Sequence, residues 1–244
     1  MNKTLILLFL FLSIITSAQK KPTLFLIGDS TMANKENPDK NPEHGWGQVL
    51  PLFLTGIEIQ NYATNGRSSK SFRTEGRWDK IMKQLKKGDF VIIQFGHNDQ
   101  KIKDSARFTN PYTQYRANLE RYVSEARSKG AIPILMTSIV RRNFNENGVL
   151  VDTHKEYPLV VRMVANDMKV PFVDLQLLTE QMEISYGPEN SKKLHLHYKK
   201  GEADYYPEGK NDDTHLSELG AESVAKLAVS SLKNLKTGLE KYIK

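Results

Sequence analysis

The predicted fold is built around the segment Leu24-Phe25-Leu26-Ile27-Gly28-Asp29-Ser30-Thr31-Met32. Its four leading apolar residues predict a short buried strand, and Gly28 allows a turn where a Cβ would clash. Ser30 follows at once, at the carboxyl end of a first parallel strand, where open α/β sheets bind ligands. Gly-Asp-Ser is also ordinary turn chemistry. The stretch alone therefore leaves open whether Ser30 is a functional residue or a turn serine.

Strands and helices alternate along the rest of the chain. Further apolar segments predict strands at residues 57–62, 90–95, 131–136 and 170–173. Helical spacing of apolar residues predicts helices at 48–54, 78–87, 111–126, 153–168 and 174–185, and a last helix that begins at Ser217. Polar segments at 33–43, 63–72 and 186–211 predict loops. Because several strands are almost wholly apolar, the pattern predicts a parallel sheet covered on both faces by helices, with either flavodoxin-like or Rossmann-like layering.

Length and composition limit the possible classes of protein. The 244 residues are 39% hydrophobic and 26% charged, which is typical of a globular protein. With no cysteine, disulfides, thiolate nucleophiles and Cys-ligated zinc are excluded. The net charge of +7 comes from scattered Lys and Arg without a nucleic-acid-binding motif. The charge therefore indicates either ordinary solvated surface or an acidic glycan partner, and we expect no nucleic-acid partner.

The N-terminus has the features of an export signal. Lys3 precedes an apolar segment at residues 5–15, and Thr16-Ser17-Ala18 offers a cleavage site before Gln19. The apolar segment is too short to span a bilayer comfortably. We therefore predict a signal peptide at 1–18, a single catalytic domain at 19–244, and a periplasmic or extracellular location without a membrane anchor after cleavage. A buried first helix or an uncleaved anchor is the alternative.

Four polar blocks fall at the ends of predicted strands or before the last helix. Ser30, Gly66 and Asn98 follow the first three strands, so they should meet at the carboxyl edge of the sheet. Asp212 and His215 precede the last helix. Ester hydrolysis needs a hydroxyl beside a base, and a carboxylate that orients the base. The sequence therefore predicts a serine hydrolase, with the Ser30 and Gly66 backbone N–H groups and the Asn98 amide as oxyanion donors.

These blocks resemble those of the SGNH (GDSL) hydrolase superfamily. The matching segments are Gly28-Asp29-Ser30, Gly66, Gly96-His97-Asn98-Asp99 and Asp212-x-x-His215. The resemblance implies a three-layer α/β/α domain with a flavodoxin-like, five-stranded parallel sheet. It implies Ser30 as nucleophile, His215 as base and Asp212 as its orienting group. It also implies Ser30, Gly66 and Asn98 as the oxyanion hole.

Within that superfamily the chain is similar to the rhamnogalacturonan acetylesterase branch. The similarity rests on segments 27–33, 45–47, 65–69, 94–99 and 214–216. It implies release of acetate from an acidic pectic polysaccharide, without a metal ion or organic cofactor. A related enzyme for xylan or another glycan, a lipase or thioesterase of the same superfamily, and a non-catalytic glycan-binding module remain alternatives.

Two residues are candidates for substrate binding. The planar fork of Arg67 would suit a uronate carboxylate, although a surface arginine is the alternative. Trp46 is a candidate for stacking on a sugar ring, with ordinary packing as the alternative.

Several other polar residues have structural interpretations. We predict that Asp29 and Asp99 hold loop backbone, and that Asp213 is a loop or helix-entry residue outside the triad. His97 either fixes its loop or contacts substrate. His154 either lies near the cleft or caps a helix. His195-x-His197 resembles a metal-binding pair, but no carboxylate cluster accompanies it in the sequence. We therefore predict that the two histidines belong to a solvated loop.

Overall fold

The computed structural model describes residues 21–244, so the predicted signal peptide at 1–18 lies outside the described residues. The central element is a parallel sheet of five strands, which are β1 (Thr23–Gly28), β3 (Glu58–Asn61), β4 (Phe90–Gln94), β5 (Ile132–Met136) and β6 (Phe172–Val173). Their spatial order is β3-β1-β4-β5-β6. Ile27 lies opposite Ile93, and Ile92 lies opposite Ile134. This order is that of a flavodoxin-like sheet and confirms the predicted fold class.

Helices cover both faces of this sheet. They are α1 (Trp46–Val49), α2 (Ser69–Thr74), α3 (Arg77–Met82), α4 (Arg116–Ser128), α5 (Tyr157–Asp167), α6 (Leu175–Asn190) and α7 (Glu218–Leu232). The side chains of α1, α6 and α7 pack on the face that carries Leu24 and Ile92. Those of α2 to α5 pack on the face that carries Ile27 and Ile93. Alternate residues of each strand therefore pack into two separate hydrophobic cores, one on each face of the sheet, as the predicted three layers require.

A second sheet lies in the region predicted as a long polar loop. It is antiparallel, with the order β2-β8-β7, and consists of β2 (Glu43–His44), β7 (His195–Tyr198) and β8 (Lys210–Ser217). The loop prediction for residues 186–211 is therefore wrong over much of its length. Strand β8 is almost wholly polar, so it has none of the apolar alternation that predicts a strand. Its backbone is paired on both sides, by β2 and by β7.

The predicted loop at residues 63–72 is also wrong at its end. Helix α2 begins at Ser69 within that segment. Ser68 caps the helix, because its side chain accepts a hydrogen bond from the backbone N–H of Ser71 while the Ser71 hydroxyl accepts from the backbone N–H of Ser68. This reciprocal cap satisfies two N–H groups that the start of a helix leaves free. No helix within residues 21–244 combines the length and apolarity needed to cross a membrane.

Candidate active site

Ser30 lies in a tight turn at the carboxyl end of β1. Gly28 is required there, since a Cβ at that position would lie 2.7 Å from the carbonyl oxygen of Gln94 on β4. Asp29 closes the turn by accepting hydrogen bonds from the backbone N–H of Thr31 at 3.0 Å and from its hydroxyl at 2.9 Å. The backbone thus holds Ser30 at the sheet edge with a side chain that is only slightly exposed.

Ser30, His215 and Asp212 form a continuous hydrogen-bonded chain. Nε2 of His215 lies 3.0 Å from Oγ of Ser30, and its Nδ1 lies 2.9 Å from Oδ2 of Asp212. The other carboxylate oxygen of Asp212 accepts from the backbone N–H groups of Thr214 and His215, each at 2.9 Å. The structure therefore brings together the three residues that the sequence predicted as a triad, from segments separated by 185 residues.

The charge of Asp212 is set by the hydrogen bonds that it accepts. Burial alone would raise the pKa of Asp212, but the side-chain and backbone hydrogen bonds from His215 and that from Thr214 hold it well below its usual value. An ionised carboxylate accepts the Nδ1 proton of His215, which leaves Nε2 free to accept the Ser30 hydroxyl proton. This arrangement lets His215 take the hydroxyl proton as Oγ of Ser30 attacks an electrophilic carbon.

The predicted oxyanion donors lie in the two neighbouring loops. Gly66 follows β3 with φ = +75°, a left-handed conformation that favours glycine. Asn98 follows β4, is buried, and donates to the carbonyl of Arg67 at 3.2 Å through its amide nitrogen. That bond uses one of two amide protons. Within residues 21–244, the backbone N–H groups of Ser30 and Gly66 have no hydrogen-bond acceptor. All three predicted donors thus retain a proton that can be donated to substrate.

Two buried aspartates organise the loops around these donors. Asp29 accepts from Nδ1 of His97 at 3.2 Å. Burial alone would raise the pKa of Asp29, but the contacts with His97 and Thr31 outweigh it and lower the pKa to about 2. Asp99 accepts from the backbone N–H of Ser69 and from the hydroxyls of Ser69 and Thr109. Burial nevertheless raises the pKa of Asp99 to about 7. Both predicted structural roles are confirmed, since each carboxylate holds loop groups in place.

His97 and His154 form a buried pair beside the Asn98 loop. Their rings meet edge to face with centroids 4.6 Å apart. Nδ1 of His97 faces Asp29, whereas Nδ1 of His154 lies 3.2 Å from Oδ1 of Asp152. Burial lowers the pKa of His97 to about 4, against the opposing charge of Asp29. His97 is therefore neutral at pH 7, and its contact with Asp29 fixes the loop that carries Asn98.

A lysine that the sequence analysis missed lies behind the serine. Nζ of Lys35 donates to the carbonyl oxygen of Ser30 at 2.6 Å and to Oδ1 of Asn65 at 3.0 Å. The same Nζ lies 2.7 Å from Oε1 of Glu43, and the Lys35 side chain is only 2% exposed. Lys35 therefore ties the Ser30 turn to the loop that precedes Gly66. Nothing in the polar segment 33–43 distinguishes Lys35 from a solvated loop lysine.

A second buried pair lies behind His215. Nδ1 of His195 lies 3.1 Å from the carbonyl oxygen of His215, and its Nε2 lies 2.7 Å from Oε1 of Glu183. Both side chains are almost wholly buried. The predicted solvated loop is therefore wrong for His195, which is on β7 and contacts the strand that carries the triad. Within residues 21–244, no group of three or more His, Asp or Glu side chains could hold a metal ion.

Asp213 points away from the triad. Its carboxylate lies 2.7 Å from Nη1 of Arg142 and 2.8 Å from Nε2 of His197. A bulge interrupts the pairing of β8 with β7 directly after Asp212. In this irregular segment the backbone N–H and the ring of His215 contact Asp212, while Asp213 faces Arg142. Asp213 is thus engaged by Arg142 and His197 rather than by His215, as its predicted place outside the triad requires. Its assignment to a loop or helix entry is wrong, since it lies within β8.

The two predicted substrate-binding residues are engaged elsewhere. Trp46 is wholly buried in the core, and its indole N–H donates to Oε1 of Gln94 at 3.0 Å. The stacking prediction for Trp46 is therefore wrong, since no face of its ring is exposed to a sugar. Arg67 pairs with Glu75, its Nε lying 3.0 Å from Oε2, and its Nη1 donates to the carbonyl of Asn65. Its binding of a uronate stays a prediction, and two of its five N–H groups are already engaged by Glu75 and Asn65.

Comparison with known proteins agrees with this geometry. Residues 26–222 match the model of the GDSL-like Lipase/Acylhydrolase family. The chain is 41% identical over 226 residues to rhamnogalacturonan acetylesterase RhgT of Bacillus subtilis (strain 168), covering 92% of this chain and 95% of that protein. It is 35% identical over 218 residues to the probable rhamnogalacturonan acetylesterase YesY of the same strain, covering 87% and 93%.

Solved structures share the fold. The crystal structure of protein YxiM from Bacillus subtilis matches with a TM-score of 0.73 and 28% identity, over 87% of this chain and 56% of that longer chain. Axe2, an acetylxylan esterase from Geobacillus stearothermophilus, matches with a TM-score of 0.59 and 18% identity, over 86% and 94%. The sequence matches cover nearly all of the described residues, so the chain belongs to the GDSL-like lipase/acylhydrolase family and is a carboxylic ester hydrolase.

Proposed function

We propose that the protein is an exported carbohydrate O-acetylesterase that releases acetate from an acetylated, rhamnogalacturonan-like pectic polysaccharide through Ser30, His215 and Asp212. The observation that carries the proposal is the unbroken hydrogen-bonded chain from Asp212 through His215 to Ser30. The pectic substrate is supported by the 41% identity to a rhamnogalacturonan acetylesterase over nearly the whole length of both chains. Export is supported by the sequence pattern of residues 1–18.

In the first half of the reaction, Oγ of Ser30 attacks the acetyl carbonyl carbon while Nε2 of His215 takes the hydroxyl proton. The negative charge that develops on the carbonyl oxygen is stabilised by the N–H groups of Ser30 and Gly66 and by the Asn98 amide. The bond to the sugar oxygen then breaks, and His215 returns the proton to that oxygen. The sugar leaves with a free hydroxyl, and the acetyl group remains on Ser30.

In the second half, water attacks the acetyl-serine ester and gives one proton to Nε2 of His215. The bond between the acetyl carbon and Oγ breaks, acetate leaves, and His215 returns the proton to Ser30. Throughout both halves Asp212 keeps the imidazole in one orientation and stabilises its protonated form. No group besides the chain, the ester and water is needed to balance these steps.

The polarity of the surface near the triad favours a glycan over a lipid. A cavity of about 490 Å³ extends from Ala33, which follows the Ser30 turn, past Asn65 to Tyr205, Tyr206 and Lys210. Lys210 is joined to the triad, since its Nζ lies 3.6 Å from Oδ2 of Asp212. Amide, ammonium and tyrosine groups are suited to sugar hydroxyls and ring faces, whereas a long acyl chain needs an apolar cleft.

The mechanism is tested by acetate release from acetylated rhamnogalacturonan, with acetylated xylan alongside. We expect Ser30→Ala to lower kcat by at least about 10⁴-fold because the nucleophile is lost, while circular dichroism stays unchanged. Ser128→Ala removes an exposed hydroxyl at the end of α4 and serves as the matched control. Undiminished activity of purified Ser30→Ala would overturn the mechanism.

The same assay tests the class of substrate. Release from xylan alone would overturn the pectic assignment and keep the serine esterase. A series of nitrophenyl esters separates the lipase alternative, because an acetylesterase should lose kcat/KM as the acyl chain lengthens. Amino-terminal sequencing of the mature protein tests export, with Gln19 as the expected first residue.

A further inference from the structure

One cavity beside the active site contains an arginine that has no acidic partner among residues 21–244. The cavity has a volume of about 460 Å³ and is lined by Arg141, Lys101, Lys155, Glu156 and His97, among others. It begins next to the predicted oxyanion hole, since His97 precedes Asn98 in the chain. Arg141 follows β5 at the carboxyl edge of the sheet, so the same edge presents both the triad and this cavity.

The contacts of Arg141 are all with neutral groups. Nη1 donates to the hydroxyl of Thr153 at 2.9 Å, and Nη2 lies 3.4 Å from the carbonyl oxygen of His97. The Gln100 amide is oriented so that its nitrogen donates to the carbonyl oxygen of Thr153. Its oxygen then accepts from Nη1 and Nη2 of Arg141 at 2.7 and 3.0 Å. Within residues 21–244, only Arg141 and Arg127 among the arginines lack a carboxylate within 4 Å.

Arg127 and Arg141 differ in their exposure to water. Arg127 is exposed at the end of α4 and donates to two backbone carbonyls, so water solvates its charge. Arg141 is half-buried, and burial lowers its pKa against the more distant charges of Asp29, Asp152 and Asp212. A desolvated cation without a counterion is costly in a folded protein, and a bound anion removes that cost.

Two further features of the cavity are suited to an acidic sugar. Lys101 adds a second cation, and partial burial together with the charges of Arg107 and Arg141 lowers its pKa, so an anion would be favoured there. Nε2 of His97 is buried and has no hydrogen-bond partner within residues 21–244. Because Nδ1 carries the proton towards Asp29, this Nε2 is an acceptor that a sugar hydroxyl can satisfy.

We propose that this cavity is a uronate subsite, in which Arg141 and Lys101 bind the carboxylate of an acidic sugar residue next to the one that loses its acetyl group. The planar guanidinium matches a carboxylate in a two-bond contact. The inference rests on the proposed function for its substrate class. It assigns to Arg141 the role that the sequence analysis had given to Arg67.

The subsite is tested by calorimetric binding of unacetylated trigalacturonate, with neutral xylotriose as the comparison ligand. Binding of this product-like ligand needs no turnover, so it is independent of whether acetate is released from any polymer. We expect Arg141→Gln to weaken trigalacturonate binding by about tenfold or more, because a charge-assisted contact is lost. Arg141→Lys keeps the charge and should restore part of that loss. Raising the salt concentration should weaken binding to the wild type more than binding to Arg141→Gln.

Two other variants separate ligand binding from structural support. Lys101→Gln changes a surface side chain that is only partly buried where it lines the cavity, so it should preserve the fold and weaken trigalacturonate binding several-fold. Arg127→Gln is the matched control, an arginine that also lacks a carboxylate partner but lies away from the cavity, and its affinity should equal that of the wild type.

Three outcomes would overturn the subsite. They are the absence of trigalacturonate binding by the wild type, unchanged affinity in both Arg141→Gln and Lys101→Gln, and equal weakening of trigalacturonate and xylotriose by Arg141→Gln. By contrast, failure of the wild type to release acetate from pectic polymer would count against the proposed function alone.

Discussion

At the scale of single residues, the site depends on side chains whose charge is set by a few close contacts. Asp212 is the clearest case, because one oxygen holds the imidazole of His215 and the other accepts two backbone N–H groups. Its neighbour Asp213 has the same chemistry but pairs with Arg142 and His197. Two adjacent aspartates therefore have different contacts, because β8 departs from regular pairing with β7 directly after Asp212.

This contrast predicts different effects of the same substitution at the two positions. We expect Asp212→Asn to lower kcat for nitrophenyl acetate by about 10³- to 10⁴-fold, because a neutral amide neither selects the Nδ1-protonated imidazole nor stabilises its cation. Asp213→Asn should change kcat less than threefold and serves as the control. Steady-state kinetics at pH 7 measures both, and a larger loss for Asp213→Asn would transfer the triad role to that residue.

At the scale of secondary-structure elements, the second sheet supports the catalytic histidine. Strand β8 carries Asp212 and His215, β7 carries His195, and α6 carries Glu183. His195 bridges these elements, since one ring nitrogen faces the His215 carbonyl and the other faces Glu183. The position of His215 therefore depends on the packing of α6 against β7 as well as on its own strand.

Removal of the acid from this bridge should destabilise the fold. We expect Glu183→Ala to lower the free energy of unfolding by about 3–5 kcal/mol, because His195 is left buried with an unsatisfied ring nitrogen. Glu183→Gln keeps an acceptor and should cost about 1–2 kcal/mol. Urea unfolding measures both. Glu189→Ala, an exposed acid on the same helix, should cost less than about 0.5 kcal/mol. Equal losses for Glu183→Ala and Glu189→Ala would contradict the bridge.

At the scale of the whole molecule, several titratable groups are buried together at the carboxyl edge of the sheet. Asp29, Asp99, His97 and His154 are all buried there. Their pKa values shift in different directions, since that of His97 falls to about 4 and that of Asp99 rises to about 7. The stability of the fold must therefore depend on pH between these values.

The sign of the His97 contribution follows from its lowered pKa. Unfolded His97 takes up a proton near pH 6.5, whereas folded His97 does so near pH 4. Its contribution to stability is present above pH 6.5 and is lost as the pH falls to 4, by up to about 3 kcal/mol. Asp99 has the opposite sign, because its raised pKa means that stability is lost as the pH rises towards 7.

Comparison of variants isolates the His97 contribution. We expect the difference in unfolding free energy between the wild type and His97→Gln to shrink as the pH falls from 7 to 4, measured by urea unfolding at several pH values. The wild type should lose its extra stability over this range, because its unfolded chain gains a proton on His97 that the folded protein does not take up until about pH 4. Gln114→Ala, a change at an exposed residue that does not titrate, is the control and should run parallel to the wild type. A difference that stays constant with pH would contradict this assignment.

Strand positions and the polar residues that directly follow the strands could be predicted from the sequence, because they depend on residues that are close together in the chain. Apolar segments such as residues 24–27 and 90–94 specify buried parallel strands, because each contains its own hydrophobic surface. Ser30 and Asn98 directly follow those strands, so the sheet order alone brings them to one edge. Asp212 and His215 are three residues apart, so their closeness also follows from the sequence. Their predicted roles follow from the resemblance to a known family.

The pairing and burial of individual side chains could not be predicted from the sequence and follow from the folded structure. Trp46 is in the core, Arg67 pairs with Glu75, and Arg141 has no carboxylate partner in the described part of the chain. Strand β8 forms from a polar segment because β2 and β7 supply its hydrogen bonds. Burial and ion pairing depend on groups that are distant along the chain, such as Glu183, His195 and His215. Hydrophobic periodicity contains no information about such contacts, since it describes only the residues within one element.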